Sequence, residues 1–495
     1  MKSAAATYVA PTTLATTLLA DAYRDRTNEA HKKEWGQFFT SFPIASFMAS
    51  LLRAPKRRDV RLLDAGAGTG VLGLAAAQQL ITQHGVRVHL VAVEKEPGAI
   101  AALREAASDA RSRLGADMLS VEIVGDDFLD LDRPRLGIAP LASFDYAIAN
   151  PPYFKMSPSD DRGGNAPNVY ARFMEVAARM LREEGELCFI IPRSFAAGYY
   201  FRPFRRRFHG LMRLDHVHVF ESRRDAFRID GVLQENIIVL YRRSRMAEPR
   251  VRISCSVGER DLSDRFEHEV DRARVLAPTD ASSVVRLPTT ESDLRVMDIF
   301  ASWRDSLDTF GLEVYNGPVV PFRAEQFLRD EKSTTTVPML WLQHVTAGRV
   351  EWPLAAGFRK PEHIERAAPE KLLVKNRTYV LLRRFSAKED ARRLVAAPYV
   401  RDSIRAPMLG IENHVNFIHR RREVLAETEA TALSALLNSQ LFDAYFRISS
   451  GNTQVSATEL RALPLPSTEM LEAVAVRLAR GASEEEAVVE VLGEP

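Results

Sequence analysis

Between residues 60 and 243 the chain alternates short apolar runs with stretches of helical period, and this alternation restricts the fold more than any other feature. The runs are VRLLDAG (60–66), VHLVAVE (88–94), VEIVGDD (121–127), FDYAIAN (144–150), ELCFIIP (186–192), DHVHVF (215–220) and NIIVLYR (236–242). Near-continuous apolar strands alternating with helices predict a parallel-dominated sheet covered on both faces. VYARFMEVAARMLREEG (169–185) sets Phe173, Ala177 and Met180 or Leu181 at helical spacing ahead of a glycine stop. The segment between the last two runs has no helical period, so those runs are expected to pair antiparallel.

After residue 244 the texture changes. Strand-like pieces such as VPMLWLQHV and KLLVKNRTYVLLRRF stand among Pro- and Gly-bearing loops, followed by helical stretches such as EATALSALLNSQLFDAYFRI. Two domains are expected, 1–244 and 245–495, with the border in RRSRMAEPRV (242–251). Composition adds little beyond an ordinary globular chain, 46% hydrophobic and 27% charged with net charge +2. The two cysteines, Cys188 and Cys255, have no metal-ligand spacing, so neither a disulfide framework nor a metal is expected. The apolar start is broken by Thr and Pro, and no apolar stretch reaches membrane-spanning length. A cytoplasmic protein with no membrane partner is expected.

The chemistry-bearing residues stand at the ends of the apolar runs. LLDAGAGTGVLGLAAAQQL (62–80) reads as strand, glycine turn and helix, and Gly66, Gly68 and Gly70 let a ligand approach backbone that a Cβ would cover. The spacing G-x-G-x-G is one residue tighter than the dinucleotide fingerprint. A simple strand-to-helix turn is the plain alternative. Glu94 ends the second run, where a carboxylate accepts bonds from both hydroxyls of a ribose. Asp127, preferred over Asp126, and Phe128 follow the third, suiting an adenine amino group and its ring face. Acids after strands also cap helices, which is the competing reading. The fourth run ends in Asn150, Pro151, Pro152 and Tyr153, where prolines stop the strand and hold a polar group and a ring rigidly at its carboxyl end.

Together these residues resemble the class I S-adenosylmethionine-dependent methyltransferases, and NPPY narrows the resemblance to the amino-methylating branch. EWGQFFTSFPIASFMASLL (34–52) is similar to that family's amino-terminal cofactor motif. The order of motifs looks like the γ class of DNA adenine-N6 methyltransferases, the TaqI- and Eco57I-like group with PstI-like modification enzymes. The resemblance covers about residues 30 to 245 closely and the rest more loosely. The loop DAGAGTG departs only in carrying alanine where many relatives have cysteine or proline. The implied fold is a Rossmann-like, mostly parallel seven-stranded sheet followed by an α+β target-recognition domain.

The resemblance implies S-adenosyl-L-methionine as cofactor, bound by Phe39, Thr40, Asp64, Gly66, Gly68, Gly70, Glu94, Asp127, Phe128 and Asn150. It also implies a catalytic group of Asn150, Pro151, Pro152 and Tyr153. The Asn150 amide oxygen and the Pro151 carbonyl would each accept one N6–H of adenine, and Tyr153 would stack on the base. Adenine inside a duplex must be flipped out, so a second ring is needed. Phe227 is expected there, with Phe220 as competitor.

Residues 371–422 hold 13 Lys or Arg against four Asp or Glu. Lys375, Arg377, Arg383, Arg384, Arg420, Arg421 and Arg422 are expected on double-stranded DNA, with Asn376 or Asn413 at base edges. A solvated surface is the alternative for each residue. FRPFRRRFHG (201–210) is a second basic candidate, and 155–167 is expected to order over DNA. GPVVPFRAEQF, ENHVNFIHRR and SSGNTQVSATELRALPLP also resemble phrases of that group. The expected activity is site-specific adenine-N6 methylation within a type II restriction-modification system, with the endonuclease encoded separately. RNA or protein-glutamine methylation is the enzymatic alternative; a non-catalytic DNA-recognition subunit is the other.

Overall fold

All seven apolar runs of the first half form strands: β1 (Asp59–Ala65), β2 (Arg87–Val93), β3 (Leu119–Val124), β4 (Phe144–Ala149), β5 (Leu181–Pro192), β6 (Arg213–Phe220) and β7 (Asn236–Arg242). Two further strands, β8 (Arg250–Ser256) and β9 (Phe266–Asp271), extend the sheet to nine in the order β3-β2-β1-β4-β5-β7-β6-β8-β9. The structure is a computed structural model. It describes residues 13–132, 143–156, 166–222, 235–277, 283–386 and 390–494, except 29–30, 32–34, 36–38, 245, 247, 355–356, 402 and 451–453.

β1 to β5 pair parallel, and β7 runs antiparallel between β5 and β6. The expected antiparallel pair is therefore present, with Val217 opposite Val239. Helices α1 (Thr13–Arg26), α2 (Phe42–Ser50), α3 (Val71–His84), α4 (Pro97–Leu114) and α5 (Val169–Met180) belong to the same unit. Ile44, Phe47 and Met48 of α2 are buried in one core with Leu72, Leu74 and Leu80 of α3 and Leu62, Leu90 and Ile148 of the sheet. Each such large apolar side chain contributes about 1.5–3 kcal/mol through burial.

The structure corrects two expectations. The helix beginning at residue 169 ends at Met180, not at Gly185, because Leu181 already pairs with Phe144 in β5. Gly185 instead lies where strands crowd: an added Cβ would meet the Arg182 carbonyl at 2.9 Å and the Phe144 carbonyl at 3.1 Å. The domain border is also later than 244, since the chain divides into Met1–Thr289 and Thr290–Pro495. RRSRMAEPRV is only the turn into β8, which pairs parallel with β6, and β9 closes that edge. β9, FEHEVD, is mostly exposed and charged, as suits a sheet's outer strand.

The second unit is α+β, as expected. One antiparallel sheet orders Leu312–Asn316, Val415–Arg420, Tyr379–Arg383 and Ala396–Tyr399. A second sheet orders Leu328–Arg329, His363–Glu365, Thr336–Leu340, Met408–Ile411 and Leu373–Lys375. Helices Glu291–Ser302, Glu427–Asn438, Gln440–Ser449, Thr468–Ala479 and Glu484–Leu492 pack their apolar faces into a core with Val314, Val380 and Ile418. Ser439 breaks the helical stretch 429–448 in two by capping the second helix. Among the described residues no helix is long and apolar enough to cross a membrane.

Candidate active site

Because β1, β2, β3 and β4 run parallel, their carboxyl ends open on one edge of the sheet, where open α/β sheets bind ligands. Gly66 and Ala67 both donate backbone N–H to the Val93 carbonyl at 2.9 Å, turning the chain tightly across the top of β2. Gly66, Gly68 and Gly70 adopt φ of 75°, 55° and 87°, the left-handed region that glycine enters without strain. An added Cβ on Gly68 would meet nothing within 4 Å, so this backbone faces open space. A cleft there is lined by Phe39, Gly66, Gly68, Glu94, Asp126, Asp127, Phe128, Asn150 and Pro152. A contiguous hollow is lined by Thr40, Ser41, Gly66, Gly68, Thr69 and Asn150.

Glu94 is held from both sides. One carboxylate oxygen accepts the Gly68 N–H at 2.8 Å, and the other accepts those of Lys95 and Glu96 at 2.9 Å. Asp127 accepts the Leu129 N–H at 3.0 Å and pairs with Lys95 at 3.0 Å. Phe128 lies 4.8 Å from Phe173, ring centre to ring centre. Asp126 lines the same cleft, so lining alone does not favour Asp127 over it. Asp64 is different: fully buried beneath the turn, it accepts the Gly73 N–H at 2.8 Å and does not line the cleft. Burial raises its carboxyl to about 7 against the Gly73 bond, with the Glu94 charge adding to the rise. Its role is to tie the turn's helix to β1, and an added Cβ on Gly73 would meet this carboxylate at 2.6 Å.

At the end of β4, Asn150 donates its amide N–H to Thr40 Oγ1 at 3.0 Å and accepts the Tyr153 hydroxyl at 2.6 Å. Tyr153 also reaches the Ile190 carbonyl at 3.3 Å. Both ends of the amide are thus held by hydrogen bonds. Pro151 is buried and Pro152 half-buried at the cleft wall. Phe227 falls outside the described residues, as does most of 155–167. Its competitor Phe220 is buried core, packed against His218 at 4.7 Å.

Several cleft residues escape sequence reading. Tyr23 and Trp35 come from upstream, Phe154 and Met156 follow NPPY, and Phe173 comes from α5. Tyr23 donates to Glu96 at 2.6 Å and packs edge-on against Phe39 at 5.9 Å. Lys95 lies over the Trp35 ring at 5.8 Å. The signal for Phe173 was in its helical spacing, which is equally that of a core residue.

The basic run of the second unit does not gather. Arg383 lies opposite Val415, whereas Arg420 lies opposite Leu312, so the two mark opposite ends of strand Val415–Arg420. At about 3.4 Å per residue they are roughly 17 Å apart. Arg383 donates to the Val345 carbonyl at 2.6 Å and Arg384 to that of Asn413 at 3.1 Å. Arg420 donates to the Phe310 carbonyl at 3.0 Å and pairs with Glu429. Arg421 pairs with Asp308 and Glu313, each at 2.8 Å. Asn376 is buried, bonded to the Ile404 and Ala406 carbonyls and to the Tyr399 hydroxyl. The side chains of Lys375, Arg377 and Arg422 make no hydrogen bond or ion pair with a described residue.

A glycine-turn cleft with acids after β2 and β3 and an anchored Asn-Pro-Pro-Tyr after β4 defines the class: a class I methyltransferase of the kind that methylates nitrogen. Residues 128–227 match the Eco57I restriction-modification methylase family. The type II methyltransferase M.BsuBI of Bacillus subtilis is 34% identical over 459 residues, 89% of each chain. M.PstI of Providencia stuartii, also a type II methyltransferase, is 30% identical over 491 residues, 96% of each chain. The chain belongs to this family of type II restriction-modification methyltransferases. The type IIL restriction-modification enzyme MmeI, solved in complex with DNA, shares the fold at TM-score 0.60 and 10% identity, over 97% of this chain and 76% of that one.

Proposed function

We propose that the protein is a site-specific DNA methyltransferase that methylates the N6 amine of a flipped-out adenine, using S-adenosylmethionine. The observation that carries this is the doubly anchored Asn150 amide beside the cleft of Gly68 and Glu94. The cleft suits the cofactor: Gly68 leaves open space, Glu94 suits a ribose diol, Asp126 or Asp127 an adenine amine, and Phe128 its ring. When bound, the cofactor supplies a sulfonium methyl group.

The chain's own residues prepare the acceptor. An exocyclic amine on adenine is a poor nucleophile because its lone pair is delocalised into the ring. Asn150 Oδ1 and the Pro151 carbonyl draw on the two N–H bonds and free that lone pair. Thr40 and Tyr153 hold the Asn150 amide so that no reorganisation is needed at the moment of reaction. Tyr153 offers a ring face to the base, and Phe227 is the candidate for the opposite face. We assign Thr290–Pro495 to target recognition, with Lys375, Arg377 and Arg422 as the phosphate contacts best placed to serve. DNA as substrate places the enzyme in the cytoplasm, and a type II system supplies a separate endonuclease for the same site.

The test is transfer of labelled methyl from S-adenosylmethionine to unmethylated plasmid DNA, beside an Asn150→Ala control. Label recovered as N6-methyladenine and lost in the variant is the expected result. Label in cytosine, or none in DNA while the cofactor still binds, would refute the reading.

A further inference from the structure

Between β5 and β6 the chain turns through residues 194–201 into the helix Arg202–Leu211. Two tyrosines at the end of the turn stand in water, Tyr199 57% exposed and Tyr200 64%. They are not on a loose segment. Arg205, fully buried, donates to the Phe195 carbonyl at 2.8 Å, the Gly198 carbonyl at 2.9 Å and the Ser283 carbonyl at 2.7 Å. Bonds from one cation to three backbone carbonyls fix the turn that presents both rings.

A line of rings connects this turn to the catalytic motif. Tyr153 meets Tyr170 edge-on at 6.2 Å, Tyr170 stacks on Phe201 at 5.4 Å, and Phe201 meets Tyr200 at 5.8 Å. The exposed ring therefore stands within about 17 Å of Tyr153, roughly five base-pair steps at about 3.4 Å each along the axis of a duplex.

Charge says what fits there. Of the four arginines in RPFRRRFHGL, Arg205 is used inside the turn and Arg207 pairs with Glu175 at 3.0 Å. The side chains of Arg202 and Arg206 make no hydrogen bond or ion pair with a described residue. They stand four apart on one helix face, an arrangement of like charges that weakens a helix unless an anion offsets it.

We propose that Tyr199, Tyr200, Arg202 and Arg206 grip the sugar-phosphate backbone of the duplex beside the methylation pocket, whatever its base sequence. The guanidinium groups and phenol hydroxyls take phosphate oxygens, and the rings pack on the deoxyriboses. The catalytic unit thus holds DNA by itself, apart from any readout by the second unit. The inference rests on the reading of the chain as a DNA methyltransferase.

The test compares Tyr199→Ala/Tyr200→Ala and Arg202→Ala/Arg206→Ala with the wild-type full chain, using unmethylated plasmid DNA at several salt concentrations. KM for DNA is expected to rise roughly tenfold in each variant, with kcat within about twofold. The arginine variant should also flatten the slope of log KM against log salt by about 1.8. Binding to a duplex lacking the target site should weaken equally, and cofactor affinity should stay at the wild-type value as a control for folding. Unchanged KM and salt slope while the wild type methylates DNA would remove the patch from the DNA interface. A loss confined to kcat, or to discrimination between duplexes, would overturn the backbone assignment in favour of base flipping or readout. A wild-type chain that binds cofactor yet transfers no methyl to DNA would bring down the functional reading itself, and this inference with it.

Discussion

The two functional clusters that the sequence suggests fare differently once folded. Glu94, Asp127 and Asn150 lie far apart in the chain and converge on one cleft, whereas the basic residues of 371–422 are neighbours in sequence and disperse. The difference is one of sheet geometry. In a parallel sheet every strand delivers its carboxyl end to the same edge, so residues after successive strands must meet. In an antiparallel sheet successive strand ends fall on opposite edges, so Arg383 and Arg420 are carried apart by the strand between Val415 and Arg420. Chain proximity of like charges is therefore weak evidence for a common surface in an antiparallel unit.

The largest expected effect is at the converging cluster. Asn150→Ala should lower kcat by about 10³-fold, some 4 kcal/mol, with cofactor affinity nearly unchanged, measured by single-turnover methyl transfer. Glu94→Ala should instead weaken cofactor binding by roughly 10- to 100-fold, read by calorimetry, because charge-assisted bonds of about 1.5–3 kcal/mol disappear. If the two substitutions produced the same profile, the division of the cleft into amine-holding and cofactor-holding parts would be wrong. Asp126→Asn beside Asp127→Asn sharpens it further: we expect the larger loss of cofactor affinity at Asp127.

The first unit should also be acid-sensitive in one identifiable way. His216 and His218 are buried and His209 half-buried, and desolvation lowers each of the three to about 3, with the charges of Arg205 acting on His209, Arg252 on His216 and Arg265 on His218. His216 and His218 share the Ser254 hydroxyl, at 2.7 and 2.8 Å. Each must stay neutral to remain folded, so its contribution is complete above the unfolded value of about 6.5 and is lost as pH falls toward 3. The slope is at most about 1.4 kcal/mol per pH unit per histidine. Asp64 acts in the opposite sense, since its raised carboxyl costs stability as pH rises from about 4 to 7. Urea midpoints of the first unit should therefore fall between pH 6.5 and 4, less steeply in His218→Gln. A flat profile would contradict the burial.

The smallest effects belong to the dispersed cluster. Arg377→Ala and Arg422→Ala should each reduce the salt slope of DNA binding by about 0.9 with no change in melting temperature. Arg383→Ala and Arg420→Ala should do the reverse, lowering the melting temperature because the Val345 and Phe310 carbonyls lose their donors. An equal salt response from all four would restore the single basic face that the register disfavours.

The sequence by itself determined seven of the first unit's nine described strands, the parallel order of their chemistry and the motif residues of the cleft. Apolar runs and turn residues are local signals, and a parallel sheet converts their order into position. It could not determine where the first unit ends, because β8 and β9 join by long-range pairing with β6 and leave no local mark distinct from a new domain's first strands. Nor could it separate Asp64, tied beneath the turn, from Glu94 in the cleft, since both are acids near the ends of neighbouring strands. Tertiary structure alone decided which arginines are consumed by carbonyls and acids and which still face outward. A side chain's charge is written in the sequence, but its partner is fixed only when strands that are distant in the chain come into register.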